Sequence, residues 1–152
     1  AMTERHRLPM ESLSQQAESP DETDPLGKLR ELLIYVLHDT VRDPCRKRVF
    51  EIIFHKCEFT AQTDPLMARQ QETFLEGSEM IRRTLSNAIV QGQLPATLNL
   101  ERAITMLHVQ MTGMLYTWLL IPESFDLEAE AEHFVDCYLG SLCECPSLSG
   151  HT

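Results

Sequence analysis

The sequence predicts an all-α protein, a bundle of about six helices. Apolar residues recur every three to four positions through most of the chain, which is the period of an amphipathic helix. Asp-Pro pairs that begin at Asp24, Asp43 and Asp64 precede three of these apolar runs. An aspartate that caps a helix, followed by proline at the first helical position, is a typical helix start. No segment of the sequence has a convincing strand pattern.

Residues 2–16 are predicted to form the first helix, which then gives way to an acidic linker. Pro9 should kink this helix or mark its real start, because proline lacks the amide that a helix interior needs. Helices from Pro25 and Pro44 follow, and the second of them is expected to end near Cys57.

The longest predicted helix runs from Pro65 to Gly92, a residue type that suits the left-handed position after a helix end. Asn99 caps the next helix. The last helix starts at Asp126, with acidic residues in its first turns, where they meet the positive end of the helix dipole. Beyond it, residues 146–152 are expected to form a flexible tail.

The helix capped by Asn99 has two occupied faces and no single solvent-facing side. Its large apolar stripe consists of Ile104, Leu107, Met111, Leu115 and Trp118. Its second stripe is small and half-polar, as a close helix–helix contact requires, and includes Met106, Gln110, Gly113, Thr117 and Leu120. Such a helix is either central to the fold or shared between the core and a partner subunit. On the last helix, one apolar stripe includes Phe134 and Tyr138.

Length, charge and cysteine content indicate a single intracellular domain. A chain of 152 residues can bury one sizeable core. The net charge of −10 argues against phosphate-backbone binding by this polypeptide and mildly favours cationic ligands. Five cysteines are too few for a disulfide scaffold, no apolar run is long enough to span a membrane, and no signal-peptide pattern opens the chain. We therefore expect a cytoplasmic protein with no membrane partner.

Enzyme and metal-site motifs are missing from the sequence. There is no glycine-rich phosphate loop, no His-Glu-x-x-His motif and no nucleophile elbow. His55, Cys57 and Glu58 cluster, but residues two apart on a helix do not share a face, and no second ligand pair has zinc spacing. Cys143 and Cys145 lie at a fraying helix end. We expect no enzyme, no catalytic residue, no metal and no cofactor.

Two interpretations remain open for the apolar interior. Methionine and phenylalanine residues such as Met111, Phe54 and Phe74 usually form plain core, although they also suit an adaptable cavity for varied ligands. His108 at the edge of an apolar face is more often a hydrogen-bonded core or interface residue than a ligand contact. Periodicity alone favours a filled core over a cavity.

Four blocks of the sequence closely resemble the AcrR-like branch of the TetR family of bacterial repressors. They are DPLGKLRELLIYVL (24–37), FEIIFHKCEF (50–59), GQLPATLNLERA (92–103) and WLLIPESFDLEAEA (118–131). The resemblance spans residues 3–148. It implies the C-terminal regulatory domain of a repressor that controls a multidrug efflux operon. In that family this domain is all-helical, binds varied drugs in a large cavity, and forms a homodimer through its last two long helices.

The resemblance also implies a domain plan. Residues 1–20 would be a remnant of the connecting helix and a linker, and residues 21–145 the ligand-binding and dimerisation domain. Nothing in the chain matches the family's N-terminal helix-turn-helix head. Operator DNA is therefore expected to be a partner only through that head.

Site residues follow from the family position by position. The ligand, a small hydrophobic and in some cases cationic molecule, is expected at Leu32, Leu33, Val36, Phe50, Phe54, Phe74, Gly77, Ile81, Leu107, His108, Met111, Leu115 and Tyr116. Polar anchors of two relatives fall on Phe50 and Phe54, so this cavity should be more apolar and aromatic. The dimer interface is expected at Met106, Gln110, Gly113, Thr117, Leu120, Phe134 and Tyr138. The alternative is a helical interaction module with a filled core and no ligand.

Overall fold

A computed structural model describes residues 2–56 and 65–150. Its α-helices are α1 (Met2–Glu18), α2 (Pro25–Arg42), α3 (Pro44–Glu51), α4 (Pro65–Val90), α5 (Leu100–Leu120) and α6 (Leu127–Glu144). A π-helix (Ile52–Lys56) continues α3, and a 3-10 helix (Pro146–Leu148) follows α6. Within the described residues there is no strand beyond an isolated antiparallel bridge between Leu98 and Ser149. The all-α prediction with six helices is confirmed.

Side-chain caps explain where the helices begin. The carboxylate of Asp24 accepts a hydrogen bond from the amide of Gly27 at 3.0 Å, and that of Asp43 accepts one from Cys45 at 2.9 Å. Asn99 and Asp126 cap α5 and α6 in the same manner. The predicted caps Asp24, Asp43 and Asn99 are confirmed, and Asp126, predicted as the start of the last helix, caps it, whereas the predicted cap Asp64 lies outside the described residues.

The described part of α1 runs without a break through Pro9, so the proline does not mark its start. At the other end of α1, the side-chain amide of Asn87 on α4 donates to the carbonyls of Glu18 and Ser19 at 3.0 and 3.2 Å. Helix-end carbonyls need such partners, since they have none within the helix. Together with the fully buried Ala17, this cap fixes the end of α1 to α4.

The structure corrects the predicted course of the third helix. The sequence pattern indicates one α-helix from Pro44 to about Cys57, but the backbone changes from α to π at Ile52. The period of the apolar residues does not show this change. The predicted end at Cys57 lies outside the described residues.

The core lies between α2, α4, α5 and α6. Its largest fully buried side chains include Leu29, Leu37, Leu85, Leu127 and Leu142. Two buried threonines donate their hydroxyl protons to the carbonyls four residues earlier, Thr40 to Val36 at 2.7 Å and Thr84 to Met80 at 2.8 Å. Their polar atoms are therefore paired, as burial requires.

Residues 146–150 are packed against the bundle, which differs from the expected flexible tail. Leu148 is buried, and its carbonyl accepts a hydrogen bond from the amide of Asn99 at 2.8 Å. The amide of Gly150 donates to the carbonyl of Thr97 at 3.0 Å. The guanidinium of Arg102 donates to the carbonyl of Ser147 at 2.6 Å. This segment therefore holds the loop before α5 in place.

Among the described helices, none is both long enough and apolar enough to cross a membrane.

Candidate ligand site and dimer surface

The predicted ligand residues separate into a buried group and a more open group. The buried group joins α2, α4 and α5 and consists of Leu32, Leu33, Ile81, Leu107 and Leu115. All five belong to the continuous hydrophobic core. They are brought together as predicted, and in this structure they form packed interior.

The open group consists of two sets of aromatic rings in contact, which we call together the aromatic cluster: Phe50, Phe54 and Tyr116 form one set, and Phe74 and His108 the other. The rings of Phe50 and Phe54 stack with centroids 5.6 Å apart, and Phe54 meets Tyr116 edge to face at 6.3 Å. Phe74 and Tyr116 are 50% and 42% exposed. The cluster therefore leaves large apolar surface in contact with water, which a ligand could cover.

His108 carries the polar chemistry of the aromatic cluster. Its imidazole lies 4.0 Å from the ring of Phe74, and its Nε2 lies 2.9 Å from the hydroxyl oxygen of Ser78. Burial lowers the pKa of His108 below its usual value, so the imidazole is neutral at pH 7. Sequence reasoning did not identify Ser78, although its position one helical turn after Phe74 places both residues on one face of α4.

The remaining predicted ligand residues, Val36, Gly77 and Met111, are half-buried. A Cβ built on Gly77 would meet no atom within 4 Å, so this glycine is not required for close helix packing. Instead, it leaves open space beside α4.

Two voids can be described, and neither lies between Phe54, Phe74 and Met111. One is a narrow crevice between α2, α5 and α6, too tight to hold a water molecule, with Leu33, Met111 and Phe134 in its wall. The other is a larger open depression along the outer face of α4, bounded by polar residues such as Arg69 and Glu72. A single polar helix face cannot shield an apolar ligand from water, so we consider the aromatic cluster the better site.

A second exposed apolar surface runs along α5, and we call it the α5 stripe: Met106, Val109, Gly113, Tyr116 and Leu120. The spacing alternates between three and four residues, as in helices that pair along a seam. Val109 is 59% and Leu120 55% exposed. A Cβ on Gly113 would meet no atom within 4 Å. The predicted interface residues Met106, Gly113, Thr117 and Leu120 are all exposed, and so is Val109, which the sequence analysis did not include.

Two further predicted interface residues hold α5 against α6 within the chain. The side-chain amide of Gln110 donates to the carbonyl of Phe134 at 3.0 Å. The ring of Phe134 packs against Phe125 with centroids 5.7 Å apart. Both Gln110 and Phe134 are half-buried, so part of each side chain remains accessible.

The prediction that Tyr138 lies at the dimer interface is wrong. Its side chain is 3% exposed, and its hydroxyl donates to the carbonyl of Ala103 at 2.7 Å. Burial raises the pKa of Tyr138 far above its usual value, so the hydroxyl stays protonated and keeps this hydrogen bond. Tyr138 is a core residue that joins α6 to α5, and no partner can reach it.

Ion pairs also join α2 to α6. Nε of Arg30 lies 2.6 Å from the carboxylate of Asp136, and a second guanidinium nitrogen lies 3.9 Å from Glu132. The hydrogen bond from Arg30 lowers the pKa of Asp136. In the described ranges, no three histidine, cysteine or acidic side chains are grouped as a metal ion would require. Cys57 and Glu58, weighed above as metal ligands, lie outside those ranges.

A family profile described as the C-terminal region of MAATS-type transcriptional repressors matches residues 24–143. The chain belongs to this family. The TetR-family resemblance of the sequence blocks is thereby confirmed.

Individual relatives of this repressor family agree. The HTH-type transcriptional regulator TtgR of Pseudomonas putida is 39% identical over 136 residues, which are 90% of this chain and 65% of TtgR. The HTH-type transcriptional regulator AcrR of Shigella flexneri is 40% identical over 136 residues, 90% of this chain and 62% of AcrR. The chain thus spans slightly less than two thirds of each relative.

Solved structures show the same fold. NalD, described as the secondary repressor of the MexAB-OprM multidrug efflux pump in Pseudomonas aeruginosa, superposes with a TM-score of 0.77. It is 23% identical, and the match covers 95% of this chain and 71% of NalD. MexZ, described as a key repressor responsible for antibiotic resistance in the same organism, gives a TM-score of 0.70 at 27% identity, over 83% of this chain and 64% of MexZ.

Proposed function

We propose that this chain is the ligand-sensing and dimerisation domain of a TetR/AcrR-type repressor that controls a multidrug efflux operon. The observation that carries the proposal is the open aromatic cluster in a chain of this repressor family. The relatives named above are transcriptional regulators, and NalD is described as the secondary repressor of a multidrug efflux pump. A regulatory role needs no catalytic group, and we assign none.

The ligand would be a small hydrophobic molecule, in some cases cationic, bound over the aromatic cluster between α3, α4 and α5. Apolar burial would drive binding at roughly 25 cal/mol per Å² of apolar surface removed from water. The ring of Phe54 would cover one face of an aromatic ligand. The buried group, which includes Leu107 and Ile81, would form the floor.

A signal could pass from the site to α1 through α3. This helix contains no fully buried side chain, so it can shift without opening the core. Arg46 on α3 lies 2.7 Å from the buried carboxylate of Asp39 on α2, and its other terminal nitrogen lies 3.4 Å from the sulfur of Met10 on α1. A shift of α3 would therefore move the side chain that touches α1.

Ligand binding would release the repressor by a population shift. A ligand that binds one conformer about 1.4 kcal/mol more tightly than the other changes their ratio about tenfold. DNA contact would belong to an N-terminal helix-turn-helix head of the whole protein, and the net charge of −10, which disfavours phosphate contacts by this chain, supports that assignment. The shift would change the spacing of two such heads relative to operator half-sites.

Two copies of the chain would pair through the α5 stripe and the neighbouring face of α6. A stripe with three-four spacing suits helix pairing across a two-fold axis. Gly113 at its centre lets the two backbones approach closely, because no side chain separates them.

A fluorescence titration tests the proposed ligand site. We expect saturable binding of ethidium and of the uncharged dye N-phenyl-1-naphthylamine. Phe54→Ala removes a ring that a ligand would cover, so both dissociation constants should rise by about tenfold, which equals about 1.4 kcal/mol. The matched control is Val90→Ala, at an exposed residue at the end of α4. If neither dye binds saturably, or if Phe54→Ala and Val90→Ala behave alike, the ligand-sensing function is wrong.

One observation favours the alternative of an interaction module with a filled core. The buried group is packed, and neither described void has the position of a drug cavity. A filled interior predicts that neither dye reaches saturation while the chain still dimerises. The same titration therefore separates the two functions.

A further inference from the structure

The three residues Phe74, Ser78 and His108 form a subsite of their own within the proposed ligand site. Phe74 and Ser78 are one turn apart on α4, and the imidazole of His108 on α5 lies against both. Ser78 is 8% exposed, so its hydroxyl is largely hidden from water, whereas half of Phe74 is accessible. A planar molecule could therefore cover the open ring of Phe74 and reach the edge of the imidazole.

The hydrogen bonding of His108 leaves one ring nitrogen for a ligand. Among the described residues, Ser78 is the one hydrogen-bond partner of the imidazole, and it engages Nε2. A neutral imidazole has one N–H and one lone pair. If Ser78 donates its proton to Nε2, Nδ1 carries hydrogen and donates. If Nε2 donates to Ser78, Nδ1 is an acceptor.

The serine hydroxyl allows either tautomer of the His108 imidazole. A hydroxyl rotates, donates one hydrogen bond and accepts two, so Ser78 can satisfy either tautomer of His108. The Nδ1 atom can thus meet a ligand carbonyl as a donor or a ligand hydroxyl as an acceptor. The neutral imidazole itself offers no charge to pair with a charged ligand group, so its hydrogen bonding favours an uncharged one.

We propose that Phe74, Ser78 and His108 form a polar subsite that selects uncharged aromatic molecules bearing a hydroxyl or carbonyl group. The inference rests on the proposed ligand-sensing function and narrows its ligand class. His108 contacts the ligand, Phe74 covers one ring of it, and Ser78 is a positioning residue that holds the imidazole.

Three probes of the same biaryl shape test the subsite: biphenyl, 4-phenylphenol and N-methyl-4-phenylpyridinium. Titrations of the full chain should show 4-phenylphenol binding about tenfold more tightly than biphenyl, the gain expected from one hydrogen bond to a half-buried partner. The pyridinium cation should bind no more tightly than biphenyl. A cation that binds more tightly than the phenol would overturn the proposed ligand class.

Variants identify the residues that cause the preference for 4-phenylphenol over biphenyl. In His108→Phe, which keeps a ring but has no polar atom, the preference for the phenol over biphenyl should disappear. His108→Gln retains a donor and an acceptor and should restore part of it. Ser78→Ala should reduce it several-fold, because the imidazole loses its support. The matched control is Ser86→Ala, two turns further along α4, which should leave the preference unchanged.

The outcomes separate this proposal from the one on which it rests. If the probes bind saturably but the phenol preference persists in His108→Phe, the subsite is wrong and the ligand site stands. If no probe binds, both the subsite and the ligand-sensing function fail. Circular dichroism of each variant shows whether it has folded, and Ser78→Ala supplies a second measurement if His108→Phe unfolds.

Discussion

The ion pair between Asp39 and Arg46 permits a quantitative prediction about stability. Asp39 is 7% exposed, and Arg46, at 22%, lies 2.7 Å from it. Arg46→Met keeps an unbranched side chain and removes the charged guanidinium, so the buried carboxylate of Asp39 loses this cation. Breaking a buried pair in this way typically costs about 3–5 kcal/mol. Because Arg46 retains some contact with water, which screens the pair, we expect about 3 kcal/mol.

Urea unfolding at pH 7 measures this change, with the midpoint multiplied by the slope giving the free energy of unfolding. For a domain of this size, about 3 kcal/mol corresponds to a fall in Tm of about 6–12 °C. The matched control is Arg48→Met, the same substitution at an exposed residue on α3. It should change stability by less than about 0.5 kcal/mol.

A double variant completes the test. Adding Asp39→Asn to Arg46→Met removes the buried charge that has lost its arginine and should recover part of the lost stability, since replacing both partners of a buried ion pair costs less than removing one. If Arg46→Met and Arg48→Met give the same stability, the pair is not shielded from water. The link between α2 and α3 would then be weak, and so would the proposed route from the ligand site to α1.

Three other predictions concern the dimer surface, the core and the dependence of stability on pH. Gly113→Glu places a charge on the α5 stripe and should convert the dimer to a monomer, as measured by size-exclusion chromatography with light scattering. The control Thr105→Glu, on the same helix outside the stripe, should leave the dimer intact. A Gly113→Glu protein that is still a dimer would contradict the proposed interface. Tyr138→Phe removes the hydrogen bond to Ala103 and should lower the free energy of unfolding by about 1 kcal/mol without changing the oligomeric state, whereas an interface role would predict the reverse. The pKa of His108 in the folded state lies below its unfolded value of 6.5, so its neutral form contributes stability above pH 6.5 that is lost as the pH falls through the folded pKa. The urea midpoint should therefore fall less on acidification in His108→Gln than in the parent protein. An equal fall in both proteins would show that His108 is not buried.

Helix starts were predictable from the sequence because they depend on neighbouring residues. Asp24, Asp43 and Asn99 each cap an amide two or three positions ahead, so the signal and its effect lie within one turn. The attachment of residues 146–150 was not predictable in this way, because Leu148 pairs with Asn99, which is distant in sequence. Long-range pairing depends on how the helices pack against one another, and a local sequence pattern does not show that.

Site residues were harder to assign because a helical stripe shows which residues share a face, but not what covers that face. Tyr138 and Phe134 were grouped together, yet the first is a core residue and the second is partly open. Val109 was missed although its exposed side chain continues the α5 stripe. Ser78 acquires its chemistry from His108, thirty positions away on another helix.

The fixed end of α1 makes this helix a lever. Asn87 holds the carbonyls of Glu18 and Ser19, which places the fulcrum at the C-terminal end. At 1.5 Å per residue, Met10 lies about 12 Å and Met2 about 24 Å from that fulcrum. A displacement of about 1 Å where Arg46 touches Met10 therefore becomes about 2 Å at Met2, if α1 turns as a rigid rod. In the proposed mechanism, a small displacement caused by a bound ligand would thus be about twice as large at the N-terminal end of α1.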